Sequence, residues 1–212
     1  MRRPGASFFE RHNIHLSREE MHNHVFGRVA KDTLDYIFQK DHSGPEIDAY
    51  VDEKEVVYRG LYKDKIALLP GLEDLLIKLQ AQGLPMAVAT SAPPGNVAFA
   101  FDHLPIRHYF EFVLDASDIE KGKPDPEIYR KTIEKLKMDP DRCIVFEDSL
   151  PGVQAARGSG AHVIAVATTH APEEFSGVRT VVQDFRELDY EKLTSLIAIY
   201  NENKLKGAKR DL

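Results

Sequence analysis

Three short stretches carry side chains that could do chemistry together. "VATSAP" (88–93) presents Thr90 and Ser91, "KGKPDPEIY" (121–129) presents Lys123, and "IVFEDSL" (144–150) runs from Ile144, Val145 and Phe146 straight into Glu147 and Asp148. Two adjacent carboxylates closing an apolar run cannot both be buried without a partner. They reach solvent, or a cation sits between them. Hydroxyls and backbone N–H groups at a helix start bind phosphate oxygens. A lysine acts as a point charge on phosphate. One or two carboxylates plus a phosphate oxygen suit Mg²⁺. Each signal alone has an ordinary explanation: a turn cap for Thr90 and Ser91, solvation for Lys123, and the helix dipole for Glu147 and Asp148. Together, in this order, they point to a phosphate held beside a hard divalent cation.

The elements around these stretches explain how they could meet. Leu72, Leu75, Leu76 and Leu79 form one helical stripe that closes on Gly83. Short apolar strands are predicted at 84–90, 110–116, 142–148, 162–168 and 180–185, with helices at 126–137 (Ile133 and Leu136 inward), 151–160 and 187–202. This alternation predicts an α/β fold: a Rossmann-like parallel sheet with helices on both faces. In such sheets ligands bind beyond the carboxyl ends of the strands, where Thr90, Ser91, Glu147 and Asp148 all fall. Residues 1–68 carry no strand pattern and read as helices at about 6–12, 17–26, 31–40 and 45–63; Ser17 and Glu20 form a capping box and Gly44-Pro45 opens the last helix. The expected organisation is an all-helical unit over 1–68 and an α/β core over 69–212.

Composition narrows the function classes. The 212 residues carry a net charge of −6 and a sequence pI of about 5.9, so no broad basic face is expected and nucleic acid is excluded as a partner. Cys143 is the one cysteine, which rules out an internal disulfide framework and fits a reducing cytoplasm. No apolar run approaches the roughly 20 residues of a membrane span, and "MRRPGASFFERHN" lacks the apolar segment of a signal peptide. A monomer or weak dimer, with a small phosphorylated metabolite as its partner, is the expectation.

The three quoted motifs resemble the second, third and fourth motifs of the haloacid dehalogenase-like hydrolase superfamily, in the subgroup of beta-phosphoglucomutase and small sugar-phosphate phosphatases. The resemblance covers about residues 8–200. It implies a Mg²⁺-dependent phosphatase or phosphosugar mutase whose helical stretch, 8–68, is a cap excluding water from the site. It implies that Thr90, with Ser91, binds the transferring phosphoryl group and that Lys123 stabilises its charge. Asp148 and Glu147 would hold Mg²⁺, supported by Ser149. In "FGRVAKDTL" the position expected to bind a distal phosphate by arginine is Ala30; Arg28 and Lys31 are the nearby substitutes.

One departure is large. The family's first motif is an Asp-x-Asp on a central first strand, and its first Asp is the nucleophile. It is absent here, and the strand would lie between "MAVAT" and "CIVFE". Either something fills that place, or the flanking strands pair directly, or the chain is a fragment whose start was assigned at an internal methionine. The last is the expected origin, with a truncated paralogue as the rival. The one Asp-x-Asp, Asp139-Pro140-Asp141, precedes its strand and reads as a turn; Asp115 and Asp118 are weak substitutes. The pairs His12/His15 and His22/His24 lack metal-site spacing and read as structural or solvated, and Cys143 as packing. Without a nucleophile, activity is expected to be impaired. The alternative is a non-catalytic phospho-ligand or partner-binding pseudoenzyme. A receiver-like arrangement of acids, Thr and Lys has the wrong chain order.

Overall fold

The computed structural model describes residues 9, 12–17, 19–20, 30–39 and 43–208. The chain divides into two compact units, Met1–Ile66 and Ala67–Leu212.

In the first unit, α1 is Ala30–Phe38 and α2 is Gly44–Tyr62. Pro45 sits in the first turn of α2, where its missing N–H costs nothing, and the backbone N–H of Ser43 donates to Glu46 at 3.0 Å. The Ser17–Glu20 capping box forms as expected: Ser17 N–H donates to Glu20 at 2.8 Å and Glu20 N–H to the Ser17 hydroxyl at 3.1 Å. Phe9, Leu34 and Val57 are buried. His12 bonds Glu53 at 2.9 Å and sits edge-on to Phe38 and Tyr50, a structural role. The expected helix over 17–26, His22, His24 and Arg28 lie largely or wholly outside the described residues. Lys31 is on the α1 backbone.

The second unit alternates strands and helices. It contains α3 (Leu72–Ala81), β1 (Ala87–Ala89), α4 (Pro94–His103), β2 (Phe112–Leu114), α5 (Glu127–Leu136), β3 (Ile144–Glu147), α6 (Leu150–Gly158), β4 (His162–Val166), β5 (Thr180–Val182) and α7 (Tyr190–Ala208). Every strand pairing is parallel. The strands are shorter than their apolar runs suggest. Residues of β4 alternate between two apolar clusters. Val163 and Ala165 join Ile128, Val153, Ala155 and Ala156 from α5 and α6, while Ile164 and Val166 join Leu75 and Leu79 of α3 and Leu193 of α7. Helices therefore cover both faces, as the alternation predicts. On α5 the buried residues are Ile128, Tyr129, Thr132 and Ile133, with Leu136 only half-buried. Gly71 opens α3 at φ +79°; a Cβ there would meet the backbone N of Arg186 at 2.5 Å, so glycine lets the two segments touch.

The strands fall in two groups. β1 and β2 form one sheet, and β3, β4 and β5 a second. β1 and β3 do not pair with each other. A cavity of about 620 Å³, lined by both of them, lies at the place where the family's first strand was expected.

Candidate functional site

β3 carries Glu147 as its last residue, and α6 begins three residues on. Ser149 turns the chain: its hydroxyl accepts the Gly152 N–H at 3.1 Å and donates to Glu147 at 3.1 Å. Glu147 is buried, with 7% of its surface exposed. One carboxylate oxygen accepts from the Lys123 ammonium and the Tyr129 hydroxyl. The other accepts the backbone N–H of Asp148 at 3.1 Å and of Ser149 at 3.3 Å, besides the Ser149 hydroxyl. The Lys123 ammonium also lies 4.8 Å from the centre of the Tyr129 ring, within reach of its π-face. Burial alone would raise the Glu147 pKa, but the Lys123 charge and these hydrogen bonds outweigh it and hold the carboxyl below its ordinary 4.5. The same burial, together with the Glu147 charge, pushes the Tyr129 hydroxyl well up, so it stays a donor.

This geometry answers why an apolar strand ends on two acids. The two carboxylates have separate surroundings. Glu147 points into the protein and neutralises Lys123. Asp148 is half-buried and is reached by the segment after β4: Thr168 donates to its carboxylate at 3.3 Å, and Thr169 and the His170 ring contact its carbonyl. The Glu147 carboxylate is engaged by Lys123, Tyr129 and Ser149, whereas the Asp148 carboxylate accepts from Thr168.

Thr90 follows β1 and its side-chain oxygen accepts the Ala92 N–H at 3.1 Å, the ordinary turn role. The hydroxyl proton remains available to a ligand oxygen. Ser91 is exposed beside it, and α4 starts at Pro94. The loop bearing Lys123 is tied down by Glu127, which accepts the N–H of Lys121 at 2.8 Å and of Glu120 at 3.1 Å and pairs with Lys131 at 2.6 Å. The Lys131 bond and these two N–H bonds hold the Glu127 carboxyl down at about 2. Asp115 and Asp118 cap a turn between them, Asp118 accepting the Asp115 N–H at 2.8 Å and Asp115 the Ser117 N–H at 2.8 Å. Asp139 to Asp141 lies in the turn leading into β3, at its amino end, as expected. Cys143 is half-buried rather than core, its thiol donating to the Asp139 carbonyl at 3.4 Å.

Sequence reasoning missed Tyr129, Glu127, Gly152 and the Thr168–His170 segment. Thr168 was within reach, because the strand-end rule that selects Thr90 applies equally to it. Nothing in the sequence marks Tyr129 as a partner of Glu147. A pH titration of stability checks the Glu147 assignment. Because its folded pKa lies below its ordinary value, its contribution is complete above about pH 4.5 and is lost as pH falls through the folded value. Urea unfolding should show this acid-side loss, and Glu147→Gln should remove that portion of the pH dependence.

A parallel α/β fold of the Rossmann kind, with acids, a lysine and hydroxyls at its strand ends and a separate helical unit, defines a class of phosphate-handling hydrolases. The chain belongs to the haloacid dehalogenase-like hydrolases, whose family model matches residues 6–166. It is 29% identical over 187 residues to validoxylamine A 7'-phosphate phosphatase of Streptomyces hygroscopicus subsp. limoneus, covering 86% of this chain and 85% of that one. It is 35% identical over 125 residues to the bifunctional riboflavin kinase/FMN phosphatase of Arabidopsis thaliana, covering 57% of this chain but only 33% of that longer protein. A haloacid dehalogenase-type hydrolase of family IA, variant 3, from Entamoeba histolytica superposes with a TM-score of 0.81 at 29% identity, over 92% of this chain and 90% of that one. The two curated relatives are both phosphatases by name. No helix among the described residues is long and apolar enough to cross a membrane.

Proposed function

We propose that the strand-end rim of the second unit binds the phosphate of a small phosphorylated metabolite, and that this chain by itself holds the phosphoryl group without transferring it efficiently. The observation that carries this reading is the fixed Lys123. Glu147 and Tyr129 hold its ammonium on a buried carboxylate, and α5 and β3 anchor both partners. Thr90 and Ser91 would donate their hydroxyls to phosphate oxygens, and Lys123 would neutralise charge on them. Names of relatives support a phosphate monoester as the substrate class. Arg28 and Lys31 remain proposed substrate residues.

Asp148 fits Mg²⁺ as one hard oxygen donor, with phosphate and water completing the shell. The described residues offer no group of three or more His, Cys, Asp or Glu side chains that could hold a metal, so the expected affinity is millimolar at best. When bound, the ion would neutralise phosphate charge. Asp148→Asn should abolish the Mg²⁺ heat seen by calorimetry.

Attack on phosphorus needs an activated nucleophile. Asp115 and Asp118 are committed to their turn, and Asp139 and Asp141 lie before β3. Thr90 is bonded to a backbone N–H and not to a base. The expected result is therefore phosphate binding, lost in a Thr90→Ala, Ser91→Ala double variant, with little release of inorganic phosphate from sugar phosphates, FMN or an aryl phosphate in the presence of Mg²⁺. Robust turnover that disappears in Lys123→Ala would overturn the non-catalytic part and make Asp115 and Asp118 the first residues to test.

A further inference from the structure

Three consecutive polar side chains, Thr168, Thr169 and His170, converge on one residue. They follow β4, and both threonines are exposed, so water could serve them as a partner. Instead the Thr168 hydroxyl donates to the Asp148 carboxylate at 3.3 Å and the Thr169 hydroxyl donates to the Asp148 carbonyl. The His170 Nδ1 lies 2.9 Å from the Thr169 oxygen and 3.3 Å from the same carbonyl. The proton count fixes the ring. The Thr169 proton is spent on the carbonyl, and a carbonyl has none to give, so Nδ1 carries the hydrogen and donates it.

This stretch is framed at both ends. Before it, the Ala167 N–H donates to the Val182 carbonyl of β5 at 2.8 Å. After it, Glu174 accepts the Ala171 N–H at 2.8 Å, and Phe175 is buried with Ile128 and Val153. The His170 ring stands edge-on to Phe175, with centroids 5.8 Å apart. A backbone already fixed loses little further entropy when its side chains settle on Asp148. The Asp148 peptide is thus held on both sides, its N–H by Glu147 at 3.1 Å and its carbonyl by Thr169. What is left loose is the carboxylate, because the terminal torsion of an aspartate has broad wells. Thr168 takes Oδ2, and Oδ1 accepts no hydrogen bond from the described residues.

We propose that residues 168–170 form a clip that positions Asp148: Thr169 and His170 fix its peptide, and Thr168 turns its carboxylate so that Oδ1 faces a ligand. Thr168 acts through Asp148 and is a positioning residue. The consequence for Mg²⁺ rests on Asp148 being the metal donor proposed above; the clip itself does not.

Nuclear magnetic resonance on the whole chain tests it without metal. The Hα–Hβ couplings of Asp148 should report a single χ1 rotamer, and the neutral His170 ring should carry its proton on Nδ1. Thr168→Val keeps the shape of an exposed side chain and removes the donor, so the Asp148 couplings should become averaged. Thr168→Ser should restore the single rotamer. In a Mg²⁺ titration of the same samples, Thr168→Val should weaken binding roughly tenfold, as loss of a group orienting a metal ligand does, and Thr168→Ser should not. A single rotamer retained in Thr168→Val, averaged couplings already in the unsubstituted chain, or a neutral His170 protonated on Nε2 would each overturn the clip. Couplings as expected, with Mg²⁺ binding indifferent to Asp148→Asn, would support the clip and refute Asp148 as the metal donor.

Discussion

Lys123→Met should cost about 3–5 kcal/mol of stability, because it leaves a buried carboxylate without its cation. Glu147 cannot turn to solvent: its second oxygen is held by Ser149 and by the Asp148 N–H, and Tyr129 stays on the first. The sign of the pH effect separates this cause from a general packing loss. With Lys123 gone, burial dominates and the folded Glu147 pKa rises above its ordinary 4.5. A carboxyl with a raised folded pKa destabilises the protein while it is charged, so the penalty should shrink as pH falls towards and below that ordinary value. Urea denaturation at two pH values measures it. Adding Glu147→Gln to Lys123→Met should restore part of the loss at neutral pH; additivity of the two would show that the pair is not coupled.

Gly152→Ala is the second large effect, and its direction opposes helix propensity. Gly152 lies inside α6, where alanine ordinarily gains about 1 kcal/mol over glycine. Here a Cβ would come within 2.1–2.2 Å of the Glu147 carboxylate atoms. A flexible exposed side chain would move aside at little cost. Glu147 is fixed by Lys123, Tyr129 and Ser149, so moving it breaks the arrangement that holds Lys123. A net loss of about 1–3 kcal/mol is expected, together with weaker phosphate binding. In a Glu147→Ala background the obstacle is gone and Gly152→Ala should become neutral or stabilising. If it remains equally harmful there, the clash lies elsewhere in α6.

Both predictions rest on the anchoring of Glu147 by residues far from it in the chain, which the sequence could not show. Lys123 and Glu147 are separated by 24 positions and Tyr129 and Glu147 by 18. Local pattern marks each as a residue at a strand end or on a helix face. It carries no information about which carboxylate faces inward. Adjacent acids look equivalent in sequence, and a single β-strand residue step is enough to send their side chains to opposite environments. Thr168 to His170 were missed for a related reason: polar residues after a strand are common, and only their approach to Asp148 distinguishes them.

The sequence by itself determined the alternation of strands and helices, the two-faced burial of β4 and the three rim stretches. These depend on periodicity and turn chemistry read within a few residues. Tertiary structure alone decided that the strands fall in two sheets. β1 and β3 stay apart instead of pairing, because α3, α5 and α7 pack around the space between them and the strands are held by their outer partners, β2 and β4. It likewise decided that Glu147 balances Lys123 while Asp148 remains half-buried. A carboxylate's role depends on how much water it loses and which cation reaches it, and both are set by elements that meet only when the chain folds.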